Sequence, residues 1–80
     1  MSKVGFNIAT ISALDECRDL LHNGYSIIIQ CLVSDGIFVK LKHQSNGRTL
    51  IVRSYPDKYE IREGKRVLKC QDYSKLLVSD

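Results

Sequence analysis

The sequence predicts an α+β fold: a small antiparallel β-sheet of four to six strands with one N-terminal helix packed on one face. Three observations predict it. Residues 13–22 repeat apolar side chains at helical spacing and end on Asn23-Gly24. Residues 25–55 alternate in polarity through three strands separated by two glycine-containing turns. The chain has 80 residues, 44% of them apolar, with a single proline. That is the composition of one folded domain, residues 1–80, and a chain so short buries only about 60% of its unfolded surface.

The elements follow in order. Val4, Phe6 and Ile8 alternate with Gly5, Asn7 and Ala9, the pattern of a short first strand. Thr10 and Ser12 then offer capping hydroxyls. Ser12 with Asp15 approximates a capping box, and Asp15 and Glu16 complement the positive end of a helix dipole. Leu14, Cys17 and Leu21 form an apolar stripe, so a helix is expected over residues 13–22, with Asn23-Gly24 as its left-handed stop.

Two registers compete for the first hairpin. A two-residue loop, Asp35-Gly36, sets Gln30 opposite Leu41 and Cys31 opposite Lys40. A three-residue loop with Gly36 left-handed sets Val33 opposite Ile37, Cys31 opposite Val39 and Ile29 opposite Leu41. Only the second pairs apolar with apolar, and it is the one expected. At the next turn, Asn46-Gly47 favours a two-residue hairpin with Leu41 opposite Val52 and His43 opposite Leu50. On the reverse face that hairpin pairs Phe38 with Tyr55, Lys40 with Arg53 and Lys42 with Ile51. The helix is expected to cover Ile27, Ile29, Val39, Leu41, Leu50 and Val52. Pro56-Asp57 ends the third strand. A second hairpin around Gly64 sets Ile61 opposite Leu68 and Tyr59 opposite Cys70. Residues 72–79 read either as a short final helix capped by Asp72 and packing Tyr73, Leu76 and Leu77, or as a last edge strand.

Composition narrows the function. Net charge is +3 but uneven, with residues 1–39 summing to −2 and residues 40–80 to +5. The second half attracts polyanions or acidic protein surfaces, and the balance argues against nucleic-acid mimicry. No stretch approaches about 18 uninterrupted apolar residues, so no membrane partner is expected. The N-terminal residues lack the apolar run of a secretion signal, which points to the cytoplasm of the producing or host cell. Three cysteines without a CxxC pair read as small apolar side chains rather than a disulfide framework.

Catalysis and cofactors find little support. Cys17, Cys31, Cys70, His22 and His43 are the candidate metal ligands, and no two lie within four residues of each other. No thiol sits at a glycine elbow or an evident helix N-terminus. Asp15, Glu16 and Asp19 are explained by the helix they start, and neither GxxxxGK nor GxGxxG occurs. A protein without enzymatic activity, metal or cofactor is expected.

The candidate contact set is therefore the reverse face, Phe38, Tyr55, Lys40, Arg53 and Lys42, with the basic turn of Arg62, Lys65 and Arg66. Aromatic anchors among cations suit a small binding protein that masks a site on a larger protein or ribonucleoprotein. They also suit direct binding of single-stranded or structured nucleic acid, by stacking and phosphate neutralisation. A third alternative is a homodimer through an exposed strand edge or through the patch of Ile28, Leu32, Phe38 and Ile51. Against all three stands an ordinary solvated outer face. Those four apolar residues also leave open a face covered by the second hairpin.

A helix followed by three antiparallel strands is similar to a double-stranded-RNA-binding domain. That family's closing helix with its lysine cluster has no counterpart, because residues 72–80 carry only Lys75. In size, absence of motifs and α+β layout the chain resembles small inhibitor proteins of phages and mobile elements, including anti-CRISPR proteins. The likeness transfers no residue.

Overall fold

A computed structural model describes residues 8–73. One helix, α1 (Ile8–His22), packs on a five-stranded antiparallel open sheet. The strands are β1 (Tyr25–Val33), β2 (Gly36–His43), β3 (Thr49–Ser54), β4 (Lys58–Glu63) and β5 (Arg66–Asp72), in the spatial order β1-β2-β3-β4-β5. The expected fold class holds. Each strand pairs with its neighbour in sequence, so short turns close every ladder. The second hairpin extends the sheet sideways and leaves the reverse face uncovered by it.

The core lies between α1 and the sheet. Alternate residues of three strands supply it: Ile37, Val39 and Leu41, then Leu50 and Val52, then Tyr59 and Ile61. Ala13 and Cys17 meet them from the helix, with Tyr25 at the start of β1. The helix face toward the sheet is made of small residues, Ala9, Thr10, Ala13 and Cys17, all buried. Small side chains let the helix axis approach the sheet closely.

The helix starts five residues earlier than expected, at Ile8, and its first turn holds no acidic residue. Thr10 and Ser12 are helical and do not act as caps. Their hydroxyls work across the core instead: Thr10 Oγ1 lies 3.0 Å from Ser54 Oγ, and the Tyr73 hydroxyl lies 3.0 Å from Ser12 Oγ. Ile8 is therefore helical, and the rest of the expected first strand lies outside the described residues. The stop is as expected, with Gly24 at φ +94° and Asn23 Nδ2 donating to the Asp19 carbonyl at 2.8 Å.

The β1–β2 register corrects both sequence alternatives. The loop is Ser34-Asp35, and Val33 pairs with Gly36, Leu32 with Ile37, Cys31 with Phe38 and Ile29 with Lys40. Gly36 does not have a positive φ. A bulge between Ile27 and Ile29 then changes parity, so Ile27 pairs with Leu41 and Tyr25 with His43. Ile27 and Ile29 were expected under the helix. Both are exposed: Ile27 keeps to the helix side but lies on the edge strand, and Ile29, past the bulge, turns to the reverse face beside Lys40.

The β2–β3 hairpin is offset by two residues from its expected register. Leu41 pairs with Leu50, Val39 with Val52, Lys40 with Ile51 and Phe38 with Arg53. An offset of two preserves faces, so the buried set is the expected one. The cause is a longer loop organised by His43. Its Nδ1 accepts from the amides of Ser45 and Asn46 at 3.1 and 3.4 Å, and its Nε2 lies 3.1 Å from the Asn23 carbonyl. With Nδ1 accepting, Nε2 carries the proton and donates.

In the last hairpin, Glu63 pairs with Arg66 and Arg62 with Val67, as the Gly64 turn dictates. A register shift between Ile61 and Arg62 then replaces the expected partners. Ile61 pairs with Lys69 and Tyr59 with Gln71. Strand β5 runs through Asp72, and Tyr73 packs against the core beside it. Leu76 and Leu77 of the alternative final helix lie outside the described residues. Among the described residues, no helix is long and apolar enough to cross a membrane.

Candidate interaction face

The ladders assemble the reverse face into rows. One row crosses all five strands: Cys31, Phe38, Arg53, Glu60 and Cys70. The next carries Ile29, Lys40, Ile51, Arg62 and Val67, alternating apolar and cationic. A third holds Ser26, Lys42 and Thr49. Lys40 and Arg53, which a sequence slip of one residue would have separated, share this side with Phe38, Lys42 and Arg62. They are not opposite one another, however, because Lys40 faces Ile51.

Tyr55 is not where the sequence reading put it. It lies beyond the end of β3, and Phe38 faces Arg53 instead. The Tyr55 ring is claimed by two cations: Arg53 Cζ stands 4.5 Å and Lys58 Nζ 5.0 Å from its centroid. The two aromatics therefore form no paired stacking platform.

Arg53 is held in place. Its guanidinium donates to Asp35 Oδ1 at 3.0 Å and to the Ser54 carbonyl at 2.7 Å. Glu60, only 8% exposed, accepts from Arg62 Nε at 3.0 Å and pairs with Lys58 at 3.4 Å. Burial pushes the Glu60 carboxyl pKa up, but the Arg62 hydrogen bond and the two neighbouring cations outweigh it and hold it below the usual range. Arg53, Arg62 and Lys58 are thus largely internal to the face.

Lys40 and Lys42 differ from these, because neither forms an ion pair among the described residues. Lys65 and Arg66, at the exposed tip of the last hairpin, form none either. The expected basic turn is accordingly split. Arg62 belongs to the sheet face, Lys65 and Arg66 to the tip, and Glu63 is held by Arg48 through two bonds of 2.8 and 2.9 Å.

Two features escaped the sequence reading. The first is on the helix side, where Glu16 accepts from the Tyr59 hydroxyl at 2.6 Å and from Lys69 Nζ. Burial, then the bond to Glu16, pushes the Tyr59 phenol up to about 12. The second is that β1 contains no charged residue, a signal already visible in the run from 25 to 33.

Burial, helped by the Glu16 charge, pushes the Cys17 thiol up to about 11, which keeps it protonated and unreactive. All three cysteines are free. Among the described residues, no three of His, Cys, Asp or Glu gather in a group able to hold a metal ion. The chain matches no protein-family model, no curated protein and no solved structure.

Proposed function

We propose that the chain is a non-enzymatic binding protein of inhibitor type, which masks a site on a larger protein or ribonucleoprotein with the reverse face of its sheet. The observation that supports this most is the row Ile29-Lys40-Ile51-Arg62-Val67 beside Lys42. It sets apolar side chains between cations on a sheet that the second hairpin does not cover. Such a surface fits a partner patch with an apolar centre and acidic rim. Phe38 and Ile51 anchor, while Lys40 and Lys42, unpaired among the described residues, speed and orient the encounter. In this reading the protein works in the cytoplasm of the producing or host cell, where its free thiols stay reduced.

The same unpaired lysines, with Lys65 and Arg66, favour a second reading as a nucleic-acid binder. The capture of Tyr55 by Arg53 and Lys58 counts against it, because a stacking platform needs an open ring.

The test is affinity capture from the producing cell, with and without nuclease, repeated with Lys40→Glu/Lys42→Glu and with Ile51→Lys. A protein retained after nuclease by the parent chain and lost by both variants is the expected result. Retention by both variants overturns the face assignment. Capture abolished by nuclease, with steep salt dependence on random single-stranded RNA, transfers the role to nucleic acid.

A further inference from the structure

We propose that the chain forms a homodimer in solution, joined edge to edge along β1, so that the two sheets run on into one. The inference concerns the sheet edge and does not depend on the reading given to the reverse face.

Strand β1 is bonded to β2 on one side only, and among the described residues nothing pairs with its other side. Alternate amides and carbonyls therefore point outward, ready to accept another strand. Its side chains are apolar and uncovered: Ile27 is 39% exposed, Ile28 50%, Ile29 47% and Leu32 77%. Proteins guard such edges with charges. The opposite edge, β5, is guarded by Arg66, Lys69 and Asp72. No guard stands on β1, which alone among the described elements lacks Asp, Glu, Lys and Arg.

Charge is compatible with a second copy as the occupant. The net charge of +3 opposes self-association least across β1, which carries no charged residue. An acidic partner would find no cation there. A two-fold axis requires a self-complementary patch, and two identical strands paired antiparallel meet the requirement, because the donors of each face the acceptors of the other. The bulge at Ile28 breaks the edge, which confines the new ladder to residues 29–33.

Side chains complete the contact. Beside the edge lies a groove of about 270 Å³ lined by Leu14, Gln30, Cys31, Leu32, Ile37 and Val39. In the dimer, Leu32 of each copy enters the groove of the other. This buries the most exposed large apolar side chain of the described chain.

Sedimentation equilibrium of the full chain over a concentration series tests this. The expected result is a mass that rises to twice the chain mass and does not fall as salt is added, since the seam carries no charge. Leu32→Lys raises the dissociation constant by at least about tenfold, with an unchanged circular dichroism spectrum. Val67→Lys, on the guarded edge, leaves the dimer intact. Should Leu32→Lys fail to fold, Gln30→Lys places the charge on the same edge at an exposed position. The chain mass at every concentration, dimers that persist in both edge variants, or a dimer lost in Val67→Lys each overturn the proposal. Partner capture by the monomeric Leu32→Lys chain reads the reverse face separately, so either idea can fail without the other.

Discussion

Gly36 and Ser54 lie so close that a β-carbon on Gly36 would stand 2.2 Å from the Ser54 carbonyl oxygen and 2.4 Å from its hydroxyl. The contact sits where three elements meet. Ser54, fully buried, accepts the Ile37 amide at 2.8 Å and faces Thr10 of the helix across 3.0 Å. Glycine is needed at position 36 for this approach, not for a left-handed turn.

Gly36→Ala is therefore expected to destabilise by overpacking against backbone that cannot swing away, on the order of 1–3 kcal/mol or more. In a domain of this size each kcal/mol lowers the melting temperature by roughly 4–8 °C. Ser54→Ala removes the partner of a buried amide, at about 1–3 kcal/mol. The double variant should not recover stability, because the carbonyl stays in place when the hydroxyl is removed. Calorimetry of the three variants checks this, and recovery in the double variant would refute the steric account.

How much of this was legible depended on parity. Lys40, Lys42 and Arg53 fell on the expected side because the His43 loop displaced the β2–β3 register by two residues, and an even displacement does not change faces. Ile29 fell on the wrong side because one bulged residue does. Nothing in three consecutive isoleucines marks which of them bulges. The helix start was illegible for a related reason. Ala9 and Thr10 are buried, and Thr10 meets Ser54 of the sheet across 3.0 Å, a long-range contact with no local signature. Tyr55 was misplaced by the same two-residue displacement, which sets Arg53 opposite Phe38 and leaves Tyr55 beyond the end of β3. The charge-free edge, by contrast, needed no register and could be read directly.

His43 should control the loop it organises. His43→Phe keeps a ring against Tyr25, whose centroid lies 4.8 Å away in edge contact, but loses the acceptor for the Ser45 and Asn46 amides. The expected cost is about 1–2 kcal/mol from the lost polar contacts. Amide exchange at Ser45 and Asn46 should accelerate while the amides of Val39 and Val52 stay protected. Uniform acceleration across the sheet would mean that His43 supports the whole fold and not the loop.

Acid should loosen the attachment of β5 to the helix. Burial raises the Glu16 pKa, but the hydrogen bonds from Lys69 and Tyr59 and the Lys69 charge outweigh it, so the carboxyl titrates below its ordinary value. A carboxylate depressed in the folded state adds stability above the unfolded pKa of about 4.3, and that stability fades as pH falls through the folded value. Denaturant midpoints measured as pH falls below about 5 should decline less steeply in Glu16→Gln than in the parent. In Lys69→Met the balance reverses toward burial, and carboxyl NMR should find the Glu16 pKa higher than in the parent chain. An unchanged value there would show that Tyr59 alone sets it.

The two kinds of cation on the reverse face should separate when each is removed. Lys42 is exposed and forms no ion pair among the described residues, so Lys42→Ala should leave stability within about 0.5 kcal/mol. Its effect should appear in partner association, as a slower on-rate and a weaker salt dependence. Arg62 is tied to Glu60, whose carboxylate is buried in the middle of the sheet face. Arg62→Met leaves that carboxylate with Lys58 as its ion-pair partner among the described residues, at an expected cost of about 1–3 kcal/mol. Arg62→Met/Glu60→Gln removes charge and countercharge together and should recover part of the loss. Thermal melts of the four variants decide it. Equal stability of Lys42→Ala and Arg62→Met would show that Arg62 is as dispensable to the fold as Lys42, and would return it to the contact set as a free cation.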